Sequence, residues 1–295
     1  MLRFVPQYQK VPWGGRRLET QFGRALPEGP IGESWELVEL ESHESTVASG
    51  PFAGATLGSL WRDGKLGGSA QGPFPFLLKW LDTTQWLSVQ VHPDEAGVKR
   101  SGKGDPKSEA WYVAHAEPQA PILLGHYPGL DEKTLRQAAT GGTLTKWLYE
   151  LNPRVGDMFM VKAGTLHALG PGLLILEVQQ PSKTTYRVYD WGRMGLDGKP
   201  RELHVDDAVD AVAFERHGAP TPTRAEVIGP RFAMRVLTKE TSLSSGPLRV
   251  FAAAGAVTLK HDRGIEQLNL GDIAVAEPSD GTVTLRGTCV FLGER

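Results

Sequence analysis

The sequence predicts an all-β fold of many short strands joined by tight turns. The chain of 295 residues contains 35 glycines and 21 prolines, which punctuate short apolar runs instead of forming a low-complexity tract. In Ser88–His92 polar and apolar residues alternate with the period of a β-strand. Many short strands separated by glycine and proline turns are typical of a β-sandwich or barrel.

Length, charge and cysteine content limit the classes of protein to consider. A chain of 295 residues can bury a substantial core and form one large or two modest domains. Because 34 acidic and 32 basic residues nearly cancel, no global field favours nucleic acid or an anionic membrane, and any phosphate site must be local. The single cysteine, Cys289, excludes an intramolecular disulfide and a thiolate zinc cluster, and it fits a reducing compartment.

The sequence shows no targeting or membrane segment. Its first ten residues lack a long apolar core and a small-residue cleavage site, and no stretch approaches the roughly 18 apolar residues that span a bilayer. We therefore expect a cytoplasmic protein, either a monomer or a homodimer, without a nucleic-acid or membrane partner.

The individual elements follow from apolar runs and turn residues. The predicted strands up to residue 217 are Leu2–Val11, Trp35–Leu40, Ser45–Ala48, Phe76–Leu81, Trp86–Val91, Ser108–Ala114, Ile122–Tyr127, Met158–Val161, Leu173–Gln179 and Thr185–Tyr189. We expect Phe76–Leu81 and Trp86–Val91 to form the central pair. The predicted helices are Thr56–Trp61, Asp94–Lys99, Asp131–Ala139, Thr143–Glu150 and His204–Val212.

One polar strand face is the first candidate site. Alternation places Ser88, Gln90 and His92 on the same face of a strand, where they are costly to bury unless something satisfies them. A divalent metal would do so, since with His167 they offer mixed nitrogen and oxygen ligands. A hydrogen-bonded polar patch on an exposed strand face is the other interpretation of the same spacing.

A resemblance to a known family favours the metal. Gly156–His167 resembles the second signature motif of cupins, with Lys162 in place of the usual proline before Ala-Gly-Thr. The pair Gln90 and His92, followed by Glu109 and His167, is similar to the metal set of type I mannose-6-phosphate isomerases. Other shared segments are WGG at 13–15, GESWE at 32–36, FPFLLKWLD at 74–82, LSVQVHPD at 87–94, YRVYDWGR at 186–193 and RELH at 201–204. The resemblance extends from about residue 3 to residue 215, and the last two segments are similar to the short bacterial branch.

This resemblance implies a fold, a cofactor and a reaction. The fold is a cupin, the double-stranded β-helix jelly roll, with a few short helices. The cofactor is one Zn²⁺ per chain, or another divalent metal, bound by Gln90, His92, Glu109 and His167. The substrate is a sugar phosphate, and the reaction interconverts mannose 6-phosphate and fructose 6-phosphate through a cis-enediol or enediolate.

Three charged residues are candidates for the chemistry. Arg187 lies in a strand-like run whose alternation does not show which face is inward, and a buried guanidinium there would need an anion such as an enediolate or phosphate. Lys107 precedes Glu109 in the family's Lys-x-Glu pattern and is expected to assist Arg187. Glu177 interrupts an apolar strand, so it either lies on a solvated face or is a buried proton carrier with a raised pKa.

The remaining substrate contacts are assigned more broadly. Trp13, beside two glycines, is expected to form a wall of the sugar pocket, or else to be an ordinary core tryptophan. Ser88 shares the face of the metal ligands and is expected to bind substrate, or else to form a hydrogen bond with Gln90. Lys107 and Arg187 complete the predicted substrate-binding set. The candidates for the phosphate are Arg16, Arg17, Lys183 and Arg193.

A polar, proline-rich segment, Gly218–Arg224, predicts a boundary between two domains. Residues 1–217 would form the catalytic cupin domain, with a short helical insert near 131–150, and residues 218–295 a smaller cupin-like β domain. Gly271–Glu277 repeats the cadence of Gly156–Lys162 but has no histidine corresponding to His167, so we expect no metal in the second domain. Its predicted strands are Phe232–Thr238, Leu248–Ala253, Ala256–Lys260, Ile273–Ala276, Thr282–Arg286 and Cys289–Leu292.

Two other function classes remain open on the sequence alone. A metal cupin can be a non-haem oxygenase, although those usually use two histidines and one carboxylate, a pattern that Gln90 fits poorly. A cupin can also bind a sugar without catalysis, because fold by itself does not determine function.

Overall fold

The computed structural model describes residues 1–295 and confirms an all-β fold with five short α-helices. The strands, β1 to β22 in chain order, are Gln7–Gly15, Ile31–Leu37, Glu39–Leu40, His43–Glu44, Leu77–Thr83, Val89–Val91, Glu109–Ala116, Ile122–His126, Leu148–Leu151, Met158–Val161, His167–Leu169, Leu173–Gln179, Tyr186–Tyr189, Glu226–Ile228, Phe232–Leu237, Thr241–Leu243, Val250–Ala253, Val257–His261, Gly264–Leu268, Ile273–Val275, Val283–Arg286 and Cys289–Glu294. The helices, α1 to α5, are Arg17–Thr20, Leu57–Arg62, Glu95–Ser101, Glu132–Thr140 and Val205–Ala211. Two 3₁₀ turns span Leu144–Trp147 and Pro278–Asp280.

Four antiparallel sheets hold almost all of the strands. The first part of the chain forms a six-stranded sheet, in the order β1-β2-β5-β12-β7-β10, and a five-stranded sheet, in the order β13-β6-β11-β8-β9. The last part forms a second five-stranded sheet, β14-β15-β22-β17-β20, and a four-stranded sheet, β16-β21-β18-β19. The short pair β3-β4 stands apart from them.

Buried apolar clusters show how the sheets are layered. A cluster of 12 buried residues fills the space between the six-stranded sheet and the first five-stranded sheet, with Leu81 and Trp111 from one and Leu124 and Leu169 from the other. The outer face of that five-stranded sheet is covered by α4 and α5, which contribute 16 buried residues together with the strands. Apolar side chains on both faces of a sheet drive this stacking.

The largest cluster joins the two parts of the chain. It contains 29 buried residues, among them Trp80 and Leu176 from the outer face of the six-stranded sheet and Phe232 and Leu292 from the C-terminal five-stranded sheet. A separate cluster of 10 residues lies between the two C-terminal sheets. The six-stranded sheet is therefore buried on both faces. Polar residues on either face would be costly to bury unless they find a partner.

Three of the predicted helices are present, and each begins at a capping residue. The side chains of Thr56, Asp94 and Asp131 each accept a hydrogen bond from a backbone N–H of the first helical turn, at the starts of α2, α3 and α4. The predicted helix His204–Val212 is also present, as α5.

Three predictions about the elements are wrong. The segment Ser45–Ala48 is not a strand and contributes only isolated bridges, at Thr46 and Val47. Phe76–Leu81 and Trp86–Val91 do not pair, because β5 lies in the six-stranded sheet and β6 in the sheet facing it. The predicted helix Thr143–Glu150 is a 3₁₀ turn followed by β9, which pairs with β8. Residues 148–151 form backbone hydrogen bonds with β8, which would otherwise lack a partner on that side. This pairing overrides the helix propensity of the segment.

The internal likeness noted in the sequence corresponds to one repeated turn. Gly156 and Gly271 both adopt positive φ, at 90° and 86°. The next residue in each case, Asp157 or Asp272, accepts a hydrogen bond on its side chain from the backbone N–H three residues earlier. Each turn leads into a strand, β10 or β20.

None of the helices has the length and apolar character needed to cross a bilayer.

Candidate active site and metal centre

Two rows of side chains, one on each of the two facing sheets, form the candidate site. Across the six-stranded sheet, Glu177 stands opposite Lys79 on one neighbouring strand and opposite Trp111 on the other. Across the five-stranded sheet, Gln90 stands opposite both Arg187 and His167. Because residues directly opposite in an antiparallel pair point to the same side, each register brings its row to one face.

The two rows border a cleft of about 140 Å³. Its lining residues are Val11, Trp13, Glu33, Lys79, Leu81, Leu87, Ser88, Gln90, Lys107, Glu177, Thr185, Arg187 and Arg201. The cleft combines apolar walls with several charged groups, which is the usual character of a site for a small polar ligand.

Three side chains converge beside this cleft in a way that can hold a metal ion. His92, Glu109 and His167 each offer one ligand atom, and these atoms lie within 4.8 Å of one another. Nε2 of His92 lies 3.2 Å from Oε2 of Glu109, and Nε2 of His167 lies 3.4 Å from Oε1. All three residues are buried. The rings of His92 and His167 lie side by side, with centroids 4.9 Å apart.

The hydrogen bonding of the triad fits a cation. The other ring nitrogens are held by backbone carbonyls, Nδ1 of His92 by Thr184 and Nδ1 of His167 by Thr165, which fixes both rings. Nε2 of His92 is buried and has no hydrogen-bond partner. Oε2 of Glu109, 3.2 Å from it, is buried beside the ammonium of Lys107 at 3.0 Å. Buried polar atoms are rarely left unsatisfied, so the unpartnered nitrogen next to a carboxylate indicates a bound ion as the missing partner.

Electrostatics keeps the triad in the protonation states of metal ligands. Burial, and then the neighbouring Lys107, lowers the pKa of His92 to about 3. Burial also lowers the pKa of His167. Burial by itself would raise the pKa of Glu109, but Lys107 and the two histidines hold that pKa well below its usual value. Neutral imidazoles and an ionised carboxylate are the forms that bind metal.

Gln90 lies beside the triad. Its Nε2 is 3.2 Å from Nε2 of His167, and its Oε1 accepts a hydrogen bond from Oγ of Ser88 at 3.3 Å. A half-turn of the amide group exchanges its nitrogen and oxygen, and would direct the oxygen to the same point as the histidine nitrogens.

A second group of charges lines the opposite wall. Nζ of Lys79 lies 3.0 Å from Glu177 and 3.3 Å from Glu33, while Nζ of Lys107 lies 3.0 Å from Oε2 of Glu109. Burial, and then the charge of Glu109, raises the pKa of Glu177. Burial by itself would lower the pKa of Lys79, but Glu177 and Glu33 outweigh it and raise the pKa. Two cations and three carboxylates thus share one desolvated region.

The guanidinium of Arg187 is the least compensated charge of the cleft. Its Nε is buried without a hydrogen-bond partner. Burial, and then the nearby Arg201, lowers the pKa of Arg187. Arg201 itself lines the cleft and is paired with Asp190, which also holds Arg193 at 2.7 Å. An anion entering the cleft would therefore find Arg187 free to bind it.

The structure brings together most of the residues singled out in the sequence. Trp13 and Ser88 line the cleft with Lys107, Glu177 and Arg187. The four phosphate candidates do not line it: Arg16 is bound to Glu19, Arg17 to Asp82, Lys183 to Ser42, and Arg193 to Asp190.

Three charged residues of the cleft were missed in the sequence: Lys79, Glu33 and Arg201. A signal existed for Lys79, which interrupts the apolar strand β5 as Glu177 interrupts β12. The motifs that contain Glu33 and Arg201 were recognised, but nothing in their spacing distinguished a cleft residue from a surface charge.

Comparisons with known proteins agree with the geometry. A family model described as phosphomannose isomerase type I, catalytic domain, matches residues 1–108. The chain is 34% identical over 304 residues to the probable mannose-6-phosphate isomerase GmuF of Bacillus subtilis, covering 97% of this chain and 96% of that protein. It is 38% identical over 218 residues to the mannose-6-phosphate isomerase of Streptococcus mutans, covering 73% and 69% of the two chains.

Solved structures give the same result. The crystal structure of the mannose 6-phosphate isomerase from Bacillus subtilis matches with a TM-score of 0.87 and 30% identity, covering 100% of this chain and 99% of that one. A putative mannosephosphate isomerase from Archaeoglobus fulgidus shares the fold, with a TM-score of 0.80 at 20% identity and coverage of 99% and 98%. These relatives give no support to an oxygenase or a non-catalytic sugar-binding protein. From the match in sequence over nearly its whole length, the chain belongs to the type I mannose-6-phosphate isomerases.

Proposed function

We propose that this chain interconverts mannose 6-phosphate and fructose 6-phosphate, using one bound Zn²⁺. The observation that carries the proposal is the joint presence, around one cleft, of the metal-binding triad and the unpartnered guanidinium of Arg187. An aldose–ketose isomerase must move a proton between two carbons and stabilise the charge that develops on oxygen, and the cleft contains groups suited to both tasks.

The metal would be held by His92, Glu109 and His167, with Gln90 as the fourth ligand. The two nitrogens and two oxygens suit zinc or another first-row metal. When bound, the metal supplies Lewis-acid polarisation of the sugar oxygens. The lowered pKa values of the two histidines support binding at neutral pH, since no proton has to leave them first.

Arg187 is proposed to stabilise the enediolate. Arg187 is half-buried and its buried Nε has no hydrogen-bond partner, so its guanidinium is already partly desolvated and can attract a developing negative charge without rearrangement. Lys107 assists from the side of Glu109, and its ammonium group also compensates the carboxylates around it.

Glu177 is proposed to carry the proton between C1 and C2. Its raised pKa supports this role, because a base is most effective when its pKa approaches the working pH. Lys79, 3.0 Å away, favours the ionised form that can accept a proton. Glu177 lies on β12, which pairs with β5 on one side and β7 on the other, and this holds its backbone in one position.

The sugar is proposed to lie between Trp13 and the face that carries Ser88. The indole offers an apolar wall and the hydroxyl a hydrogen bond, and both residues are buried at the cleft. The phosphate would lie at the end of the cleft near Arg201, whose guanidinium, unlike the four earlier candidates, borders the cavity.

We also propose that the chain divides near residues 217 and 218, with the metal only in the first part. Strand membership supports this: no sheet mixes strands from before and after that point. Limited proteolysis should cut within Gly218–Arg224, and the two fragments should remain associated. A cytoplasmic location and a monomer or homodimer complete the proposal; light scattering on the purified protein would decide the oligomeric state.

The test is a coupled assay with mannose 6-phosphate, in which fructose 6-phosphate formation is followed with and without a chelator. We expect activity in the untreated enzyme, loss after chelation, and recovery on adding Zn²⁺ in preference to Mg²⁺. Oxygen uptake measured in the same cell should be absent. A metal-loaded, folded protein that forms no fructose 6-phosphate would refute the proposed reaction.

A further inference from the structure

One indole N–H joins the two carboxylates that the proposed function separates into metal ligand and proton carrier. Nε1 of Trp111 lies 3.1 Å from Oε1 of Glu109 and 3.0 Å from Oε2 of Glu177, and it donates to both. All three side chains are buried. The indole of Trp111 also meets the ring of His167 edge-on, with centroids 5.6 Å apart.

The sheet register fixes this arrangement. Trp111 and Glu109 are two residues apart on β7 and point to the same face, while Glu177 is directly opposite Trp111 on β12. The indole ring packs in the cluster between the two facing sheets, so its N–H cannot turn away. Its position is therefore set by the fold and not by the ligand.

The hydrogen bonds of the indole determine which oxygen of each carboxylate points away from it. On Glu109 the indole engages Oε1, and Oε2 points toward Nε2 of His92, with the ammonium of Lys107 3.0 Å away. On Glu177 the indole engages Oε2, and Oε1 is left facing Nζ of Lys79. A neutral donor shared by two buried carboxylates also reduces the repulsion between them without adding a charge that would compete with a metal.

We propose that Trp111 is a positioning residue that orients Glu109 toward the metal and holds Glu177 at a fixed place relative to it. The inference rests on the proposed function, because it takes the roles of the two carboxylates from there. Trp111 acts through these two residues and touches neither substrate nor metal. Outer hydrogen-bond partners of metal ligands typically contribute about 10–100-fold in metal affinity or activity.

The decisive variant is Trp111→Phe, which keeps an aromatic ring in the core and removes the N–H. Trp80→Phe is the matched control, because Trp80 is equally buried and its Nε1 donates to the carbonyl of Gly271, on the outer side of the same sheet. Metal affinity is measured on the chelator-treated proteins by competition between Zn²⁺ and a chromophoric chelator. The visible spectrum of the Co²⁺ form reports ligand geometry independently of activity.

We expect Trp111→Phe to bind Zn²⁺ about 10–100-fold more weakly, to change the Co²⁺ spectrum, and to lose kcat at saturating Zn²⁺ with KM little altered. Trp80→Phe should lose thermal stability but keep metal affinity, spectrum and kcat. Equal metal affinity and kcat in wild type and Trp111→Phe would overturn the inference, as would equal losses in both variants. A wild type that binds Zn²⁺ but does not isomerise mannose 6-phosphate would instead refute the proposed function, and the metal-affinity comparison would still test the link to Glu109.

A second measurement uses the wild-type protein alone, so it does not depend on whether a variant folds. The chain has eight tryptophans, so indole ¹⁵N–¹H spectra of the wild type are simple enough to follow during a Zn²⁺ titration. Since Trp111 donates to a proposed metal ligand, we expect one exchange-protected indole resonance to shift strongly on Zn²⁺ binding. If no indole resonance responds, the inference is wrong.

Discussion

The ammonium group of Lys79 lies 3.0 Å from Oε1 of Glu177, and the two residues stand directly opposite each other on β5 and β12. Both are buried, so the pair exists in a region where an isolated charge would be costly. Lys79 also reaches Glu33 at 3.3 Å. The lysine thereby compensates a carboxylate that the proposed reaction needs in its ionised form.

The first prediction concerns Glu177. Glu177→Gln keeps the shape of the side chain and the acceptor for Trp111 but cannot take up a proton, so we expect kcat to fall about 10²–10⁴-fold with KM nearly unchanged. Initial rates with mannose 6-phosphate and metal content are measured together. Glu117→Gln, at a half-exposed carboxylate outside the cleft, is the control. A Glu177→Gln enzyme with wild-type kcat would leave the proton transfer to another group.

The second prediction concerns Arg187. Arg187→Ala removes the unpaired guanidinium, and the loss of such an electrostatic stabiliser typically lowers turnover about 10²–10³-fold. Metal content and melting temperature should change little, because the Nε of Arg187 makes no hydrogen bond in the fold. Arg224→Ala, which breaks an ion pair with Asp157 between two residues that do not line the cleft, serves as the comparison. Near-normal turnover with metal retained would exclude Arg187 from this role.

The third prediction is a pH dependence at Asp190. Burial by itself would raise the pKa of Asp190, but hydrogen bonds from Arg201 and Arg193 outweigh it and lower the pKa. A carboxyl whose pKa is lower in the folded than in the unfolded state stabilises the protein above the unfolded pKa, and this contribution is lost as the pH falls through the folded pKa. Asp190→Asn should therefore unfold more easily in urea at pH 7, by about 1.5–3 kcal/mol, and the difference from wild type should shrink below about pH 4.

The control for that measurement is Asp197→Asn, an exposed residue of the same segment. It should unfold like the wild type at both pH values. If the difference caused by Asp190→Asn were the same at pH 7 and pH 3, the ion pairs would not be its source.

The fourth prediction concerns the close approach of β1 and β2. A Cβ added at Gly14 would lie 2.4 Å from the backbone nitrogen of Gly32, so one of the strands would have to move. We expect Gly14→Ala to lower the free energy of unfolding by about 1–3 kcal/mol, as overpacking does elsewhere. Gly255→Ala, where the added methyl group meets nothing within 4 Å, should be nearly neutral. Equal melting temperatures for the two variants would contradict this account.

Local patterns explain how much of this molecule could be predicted. His92 and His167 were identified because each lies in a short motif whose strand and turn are local, and the helices that begin at Thr56 and Asp131 were identified for the same reason. Lys79 interrupts β5 as Glu177 interrupts β12, but β5 is buried on both faces and its sequence shows no alternation, so the interruption did not by itself mark Lys79 as facing the cleft. The pairing of β5 with β6 was predicted because a short connection usually joins neighbouring strands. Here the short segment between them crosses from one sheet to the other.

The large core shared by both parts of the chain has a consequence for biosynthesis. The outer face of the six-stranded sheet is covered by the C-terminal five-stranded sheet, and β22, at residues Cys289–Glu294, lies in the middle of that sheet between β15 and β17. During synthesis, the strands of the six-stranded sheet are therefore made first, and the apolar outer face of that sheet stays exposed until β22 has left the ribosome. The interval between those two events is when a nascent chain of this kind most needs a chaperone.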